Sequence, residues 1–486
     1  MAVSLYTVRV VLNVLGAEDY GIYNVVAGVV TMFGFLSGAM ATASQRYFSF
    51  DLGKGDTENL KKTFSVTLTI YALLALLIVI LAETVGLWFV YNKLVIPLER
   101  LTAAKWIYQA AVASFLFTLI TTPYMSAIIA HENMDVYAYV SIVEVVLKLG
   151  IVFLLQVLPF DKLIVYGFLL LAVAVINTSL YRLYCVKKYT ECRFRFLWDK
   201  KLFIEIFSYT GWNTFGAAVG VFKFQLVNIL LNQYFSPVLI AARGIASQVN
   251  SAVSSFAINF SNAVRPQIIK LYAAEQKKEM LTFMFTSARY TFFLMFLLAV
   301  PLCFEMNSVL GLWLKNVPEN TVIFTQLLLI DVMIDSISYN LGIGIQATGR
   351  IKWYQIIIGG LLMLNLPVSW ILLALGFVPT SVFIVGIVIT FIAFICRLFF
   401  LKYLLDFRFT ETFVLKNLGF ICFSWGCILP VLLIIHKLFI AKFFIITLCL
   451  EYITEFILIL FTGFTNKERQ KGFNFLKGKI YVRKTI

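Results

Sequence analysis

The sequence predicts an all-α integral membrane protein, and three observations carry that expectation. Hydrophobic residues make up 61% of the 486 positions and charged ones only 13%, with a mean hydropathy of +0.90. Soluble domains carry roughly 25% charged residues and about 45–50% apolar ones. Apolar stretches of about 20 residues, the length that crosses a hydrocarbon core, recur along the whole chain. Gly lies inside these stretches, Pro is scarce, and no ~10-residue alternating segments recur, which favours helices over a barrel. Lipid rather than a protein core must solvate most of this surface.

Taken in order, the chain opens with a short apolar piece before Gly16 and a turn, GAEDYG. Spanning segments are then expected over 20–47, 64–91, 101–130, 134–158, 163–184, 202–232, 237–264, 281–304, 322–347, 352–375, 380–401, 413–436 and 439–461. The fifteen residues before Gly16 make ~22 Å of helix at 1.5 Å per residue, short of the ~30 Å core. The first helix is therefore expected to begin upstream, with a basic cytoplasmic flank.

Assigning the connections alternately to two sides separates the 40 Lys and Arg residues. Regions 46–62, 182–201, 263–280, 350–352, 397–416 and the tail from 464 hold 28 of them. Regions 92–105, 160–163, 305–320 and 436–442 hold seven, and Arg9, Lys148, Lys223, Arg243 and Arg289 fall within or beside apolar segments. That asymmetry places the first set, with the C-terminus, in the cytoplasm. The net charge of +15 is then a matter of topology rather than of nucleic-acid binding, since no basic-aromatic module stands outside the membrane.

The seven cysteines form no CxxC pattern and read as small apolar residues. The N-terminus shows no cleavable signal peptide. His131 and His436 fall near opposite membrane faces, so no shared histidine metal site is expected, and no phosphate loop or nucleophile motif stands out. The expectation is a non-enzymatic protein.

An internal repeat is visible. The stretch beginning VLNVLGAEDYGIYNVVAG aligns without gaps onto the stretch beginning ILLNQYFSPVLIAARGIAS, placing Asn13 on Asn232 and Arg46 on Arg265 at a shift of 219; Ala130 falls on Ala347 at a shift of 217. The repeat spans six helices, an even number. Two six-helix bundles related by a pseudo-two-fold along the membrane normal are expected, with the substrate path between them. The boundaries are 1–185 for the first bundle (its first helix incomplete), 186–201 for a basic cytoplasmic linker and 202–404 for the second bundle. Residues 405–463 form two appended helices, and 464–486 a basic tail.

Ionisable groups inside membrane helices are functional candidates, because their desolvation needs a partner or a wet cavity. Gln248, Ser251, Ser255 and Asn259 recur at three- and four-residue spacing on one helix face, and Arg243, Ser247, Asn250 and Ser254 form a stripe beside it. Asn213, Gln225 and Asn228 come from the preceding helix. Such a face lines water or substrate, or makes interhelical hydrogen bonds. Arg9, Lys223 and Arg243 would make a cationic cavity for an anionic group, arginine suiting phosphate through its planar fork. Arg46 and Arg265 mark cytoplasmic helix ends, as topological anchors or as a cytoplasmic access point for substrate. Glu144 and Lys148 are spaced for an intrahelical pair. Asp331 and Asp335, four apart, are candidates for coupling transport to an ion, against a protonated structural hydrogen bond for Asp331.

Arg9 with LGAEDYGIYNVV, the segment GWNTFGAAVG, and AARGIASQVNSAVSSFAINFSNAVRPQIIKLYA together resemble the Wzx-type polysaccharide flippases. These belong to the multidrug/oligosaccharidyl-lipid/polysaccharide (MOP) exporter superfamily, with the MATE exporters and the lipid II flippase. The resemblance implies fourteen helices and alternating access in the bacterial cytoplasmic membrane. The implied cargo is an undecaprenyl-pyrophosphate-linked oligosaccharide, moved to the periplasmic leaflet for surface polysaccharides such as O-antigen. It also implies a glycan polymerase and export machinery as partners, and no cofactor beyond a coupling Na+ or H+ on the tenth helix, where Asp331 falls. The alternatives are a MATE-like exporter of small molecules, which would favour an acidic cavity for cationic drugs, and a membrane-embedded glycan polymerase or acyltransferase, which would need larger outer loops.

Overall fold

α1 (Ala2–Thr31) is helical on both sides of Gly16, whose φ of 80° and ψ of 167° lie where glycine alone sits without strain. In the computed structural model the described residues are 2–31, 33–92, 96–193, 199–235, 237–314, 316–408, 412–439 and 444–470; the side chains of residues 1–9 lie outside this description. The expected GAEDYG turn is thus reduced to one residue, because a single glycine in that conformation breaks the helix and the chain re-enters it at Ala17. The expected segment 20–47 is likewise divided, between α1 and α2 (Gly34–Lys54).

The turn from α2 to α3 (Thr57–Leu81) is fixed by local chemistry. Gly55 caps α2 in the left-handed conformation, and the Asp56 carboxylate accepts the Asn59 amide at 2.9 Å as the N-cap of α3. Buried Asp51 then accepts from Asn59 Nδ2 at 2.8 Å and Thr63 Oγ1 at 2.6 Å, tying the two helices together. α3 runs through one π-helical turn, Ala82–Gly86, into α4 (Leu87–Asn92). Tyr108 of α5 (Leu101–Ala130) donates to the Ala82 carbonyl at 2.7 Å. α6 (Met134–Val157) and α7 (Lys162–Lys188) complete this set, and α8 (Lys200–Tyr234) comes after them.

α9 (Pro237–Ala273), α10 (Lys277–Phe304), the short α11 (Met306–Trp313) and α12 (Thr321–Ala347) come next. The expected segment 352–375 is a broken pair, α13 (Lys352–Met363) and α14 (Asn365–Ala374), followed by α15 (Thr380–Leu405), α16 (Thr412–Phe439) and α17 (Phe444–Thr462). Eleven helical stretches among the described residues are long and apolar enough to cross a membrane. The expected segment 237–264 is not one of them, because the polar stripe of α9 lowers its hydropathy.

The chain divides into two compact units, Met1–Ala218 and Val219–Ile486, with the division inside α8. In the first, α1 packs on α5, α6 and α7 around buried Ile107 and Tyr108. Arg100 bridges Asp19 of α1 at 2.6 Å and Asp161 at 2.7 Å, tying α1 to two connections that the charge pattern assigns to the outer side. In the second, α12 packs on α9, α10 and α15, and α10 packs on α16 and α17. Large apolar side chains such as Leu76, Ile80, Phe153, Phe222 and Phe461 remain exposed, as lipid contact requires.

The repeat is visible in the helix ends. α2 and α9 end at Lys54 and Ala273, 219 positions apart, and α5 and α12 end at the aligned Ala130 and Ala347.

Candidate transport site

The second unit encloses a cavity of about 390 Å³ walled by α8, α9, α12 and α15, with the α13–α14 break at one edge. Charged side chains reach it from four helices: Lys223 on α8, Arg243 on α9, Asp331 and Asp335 one turn apart on α12, and Arg397 on α15. Ser247, Asn250 and Ser251 supply polar wall from the α9 stripe.

The charges are paired unequally. Arg397 donates to Asp335 at 3.0 Å, and this pair neutralises itself. Asp331 faces the opposite charge of Lys223 across the cavity that Thr390 also lines, while its Oδ1 is buried without a hydrogen-bond partner. Arg243 donates to the Asn228 side chain and, at 3.3 Å, to the Phe224 carbonyl, with its guanidinium 4.8 Å from the Phe224 ring centroid. No carboxylate among the described residues pairs with Arg243. Three cations therefore meet two carboxylates, and the surplus positive charge sits on a buried, oriented guanidinium. Such a fork presents parallel donors to a phosphate-type anion.

Of the residues singled out in sequence, the cavity unites Lys223, Arg243, Asn250, Ser251, Asp331 and Asp335, and Asn228 reaches it through Arg243. Gln225, Gln248, Ser255 and Asn259 lie outside its wall, and Gln225, Gln248 and Asn259 are exposed. Asn213 belongs to the first unit, buried, donating to the Ala39 carbonyl at 2.7 Å. Arg46 is buried against the rings of Tyr47, Phe50 and Tyr209, and Arg265 donates to Gln346 Oε1 at 2.8 Å. Arg9 lies on α1, with its side chain outside the described residues. Glu144 and Lys148 pair at 2.6 Å in a smaller, hydroxyl-lined cavity of the first unit, of about 360 Å³.

Arg397 is the charged cavity residue that the sequence alone does not reveal. By position it falls among the cytoplasmic charges of 397–416, yet α15 continues to Leu405 and carries it within the helix. Its spacing from Lys402 becomes a clue only with the helix end known.

A profile described as polysaccharide biosynthesis protein matches residues 2–272, more than half of the chain. The chain belongs to the polysaccharide biosynthesis protein family. No curated protein sequence gives a match. Among solved structures, this family member is similar to an outward-facing multidrug resistance MATE transporter of the MOP superfamily, at 13% identity and a TM-score of 0.72, covering 84% of this chain and 93% of that one. It is also similar to a MATE structure in the straight conformation (12%, TM-score 0.71, 84% and 93%) and to a Vibrio cholerae MATE transporter in the bent form (14%, TM-score 0.62, 84% and 98%). The polysaccharide biosynthesis protein therefore has the MATE/MOP transporter fold and is a multi-pass membrane protein. Family and fold together support a MOP-type flippase or exporter.

Proposed function

We propose that this family member is a flippase. It moves an undecaprenyl-pyrophosphate-linked oligosaccharide from the cytoplasmic to the periplasmic leaflet of the bacterial cytoplasmic membrane by alternating access, for surface polysaccharide synthesis. The observation that carries this reading is the cationic surplus of the second unit's cavity, centred on Arg243 beside the α9 hydroxyl and amide stripe. The cavity lies in the size range of small-ligand sites, ~300–1,000 Å³, so it suits a pyrophosphate or a coupling ion rather than a whole glycan. Asp331 provides the coupling. Taking up H+ or Na+ removes its negative charge and frees Lys223 for an anion, so cargo and ion affect each other's binding reciprocally.

The test is complementation of a flippase-null strain. Joint replacement of Arg9, Lys223 and Arg243 by Ala abolishes surface-glycan export, and Asp331→Asn uncouples it from the ion gradient. Full export by the triple variant at normal protein level would overturn the anionic-cargo reading.

A further inference from the structure

The end of α10, the last turn of α16 and the second turn of α17 converge on a group of side chains remote from the cavity residues in sequence. Glu305 directly succeeds α10, His436 lies three residues before the end of α16, and Glu451 projects from α17. One ligand-type atom from each lies within 4.8 Å of the others. His436 Nδ1 is 3.3 Å from Glu305 Oε1 and 3.4 Å from Glu451 Oε1.

These approaches are not hydrogen bonds. His436 Nδ1 is buried without a hydrogen-bond partner, and so are both oxygens of Glu451, whose residue is fully buried. A neutral imidazole carries at most one proton on Nδ1 and could satisfy only one of two facing carboxylates. A buried carboxylate with neither oxygen satisfied is costly. Glu455, four residues further along α17, repeats the problem, fully buried with both oxygens unpartnered. Glu305 is already oriented, because Ser308 Oγ donates to its Oε2 at 3.1 Å and leaves Oε1 toward the histidine. The His436 ring is held against Phe304, with centroids 5.4 Å apart.

We propose that Glu305, His436 and Glu451 bind a divalent transition-metal ion of the zinc type. Bonds of about 2.0–2.1 Å in a tetrahedral site set ligand atoms ~3.3–3.4 Å apart, which is the spacing on both sides of His436 Nδ1. The donor set, one imidazole nitrogen and two carboxylate oxygens, suits zinc or manganese rather than calcium or magnesium, which take oxygen alone. Two carboxylates neutralise the ion's charge, and the orphaned His436 Nδ1 and Glu451 Oε1 each gain a bond. His436 keeps a quarter of its side chain exposed at the start of the 436–442 connection, which the charge pattern assigns to the outer side, so an ion has access there and a water completes the coordination. The ion clips the α16–α17 pair to the end of α10. This inference does not depend on the cargo proposed above.

The experiment uses the full chain in detergent, with any histidine tag removed, stripped with chelator and then titrated with Zn2+, or with Co2+ as an absorbing substitute. About one equivalent is expected per chain, with a rise in melting temperature and the visible absorption of four-coordinate cobalt. Glu451→Gln and His436→Ala should each lose the bound ion, the cobalt spectrum and the thermal shift. The proposal is overturned if the wild-type chain takes up no zinc, or if both variants retain it in full. Should a variant fail to fold, chelator competition on the wild-type chain alone decides, since an ion that does not bind there sinks the site.

Discussion

At the residue scale, sequence spacing names the Glu144–Lys148 pair but not the partners that hold most of the buried charges. Glu191 shows the physics in a connection outside the spanning helices. It lies in a 3₁₀ turn, Thr190–Cys192, with its Oε1 2.6 Å from His131 Nε2, and the His131 ring stacks on Tyr189 with centroids 4.0 Å apart. Burial pushes the Glu191 carboxyl up, but the hydrogen bond from His131, its own backbone amide and the nearby charges of His131 and Lys61 outweigh it, so it titrates below the usual carboxylate value. A carboxylate depressed in the folded state adds stability above its unfolded value of about 4.3, and that stability is lost as the pH falls through the lower folded value. Glu191→Gln should therefore melt earlier than the wild-type chain at pH 7, and the gap should close as the pH drops below about 4.3. A gap independent of pH would remove the carboxylate from the explanation. The same scale explains the legibility of the cavity. Lys223, Arg243, Asp331 and Asp335 are legible because a charge inside a 20-residue apolar run is conspicuous. Arg397 is not, because it lies close enough to a helix end to pass for a topological anchor.

At the element scale, helix boundaries are mostly legible in the sequence and helix interruptions mostly not. The bounds of α5 match its expected segment to the residue, since apolar length and flanking charge define it. The π turn at Ala82–Gly86 leaves no hydropathy signal, because it changes the backbone pairing and not the polarity. A tertiary contact meets it there. Tyr108 reaches the Ala82 carbonyl across a position without a side chain, and a Cβ on Gly86 would lie 2.0 Å from the tyrosine hydroxyl. Gly86→Ala is expected to expel that hydroxyl and cost about 1–3 kcal/mol for the buried groups left unpaired. Combining it with Tyr108→Phe should cost less than the sum of the two single changes, because both remove one interaction. Thermal melts of the four proteins measure the coupling, and strict additivity would separate the two residues. α17 gives the opposite kind of miss. Glu451 and Glu455 are charges inside an apolar run, as conspicuous as those of the cavity, but Glu305 and His436 lie far from them along the chain, so the cluster they form emerges only from packing.

At the scale of the whole molecule, class and family-level fold are legible because lipid imposes a simple rule on composition, and the repeat survives in helix ends even where its residues diverge. In the basic tail from 464, composition alone names no partner for the charges. Its described part is folded. Glu468 accepts the Thr465 amide and hydroxyl, both at 2.8 Å, and pairs at 2.5 Å with Arg289, a fully buried residue of α10 whose guanidinium also lies 4.9 Å from the Phe420 ring. Glu468→Gln leaves that guanidinium without its counter-charge, and a loss of about 3 kcal/mol is expected, read as an earlier melt in detergent. An unchanged melt would make the pair incidental.

The Arg289–Glu468 pair also has a consequence in time. The partners are 179 residues apart, so a ribosome adding about 5–20 residues per second makes the arginine roughly 10–35 s before the glutamate. Throughout that interval α10 carries an unmatched positive charge where lipid or packed helices should surround it. The second unit can settle only after its last helix has been inserted. A chain interrupted upstream of Glu468 would keep α10 loose, leaving membrane quality-control proteases a mark by which to recognise it.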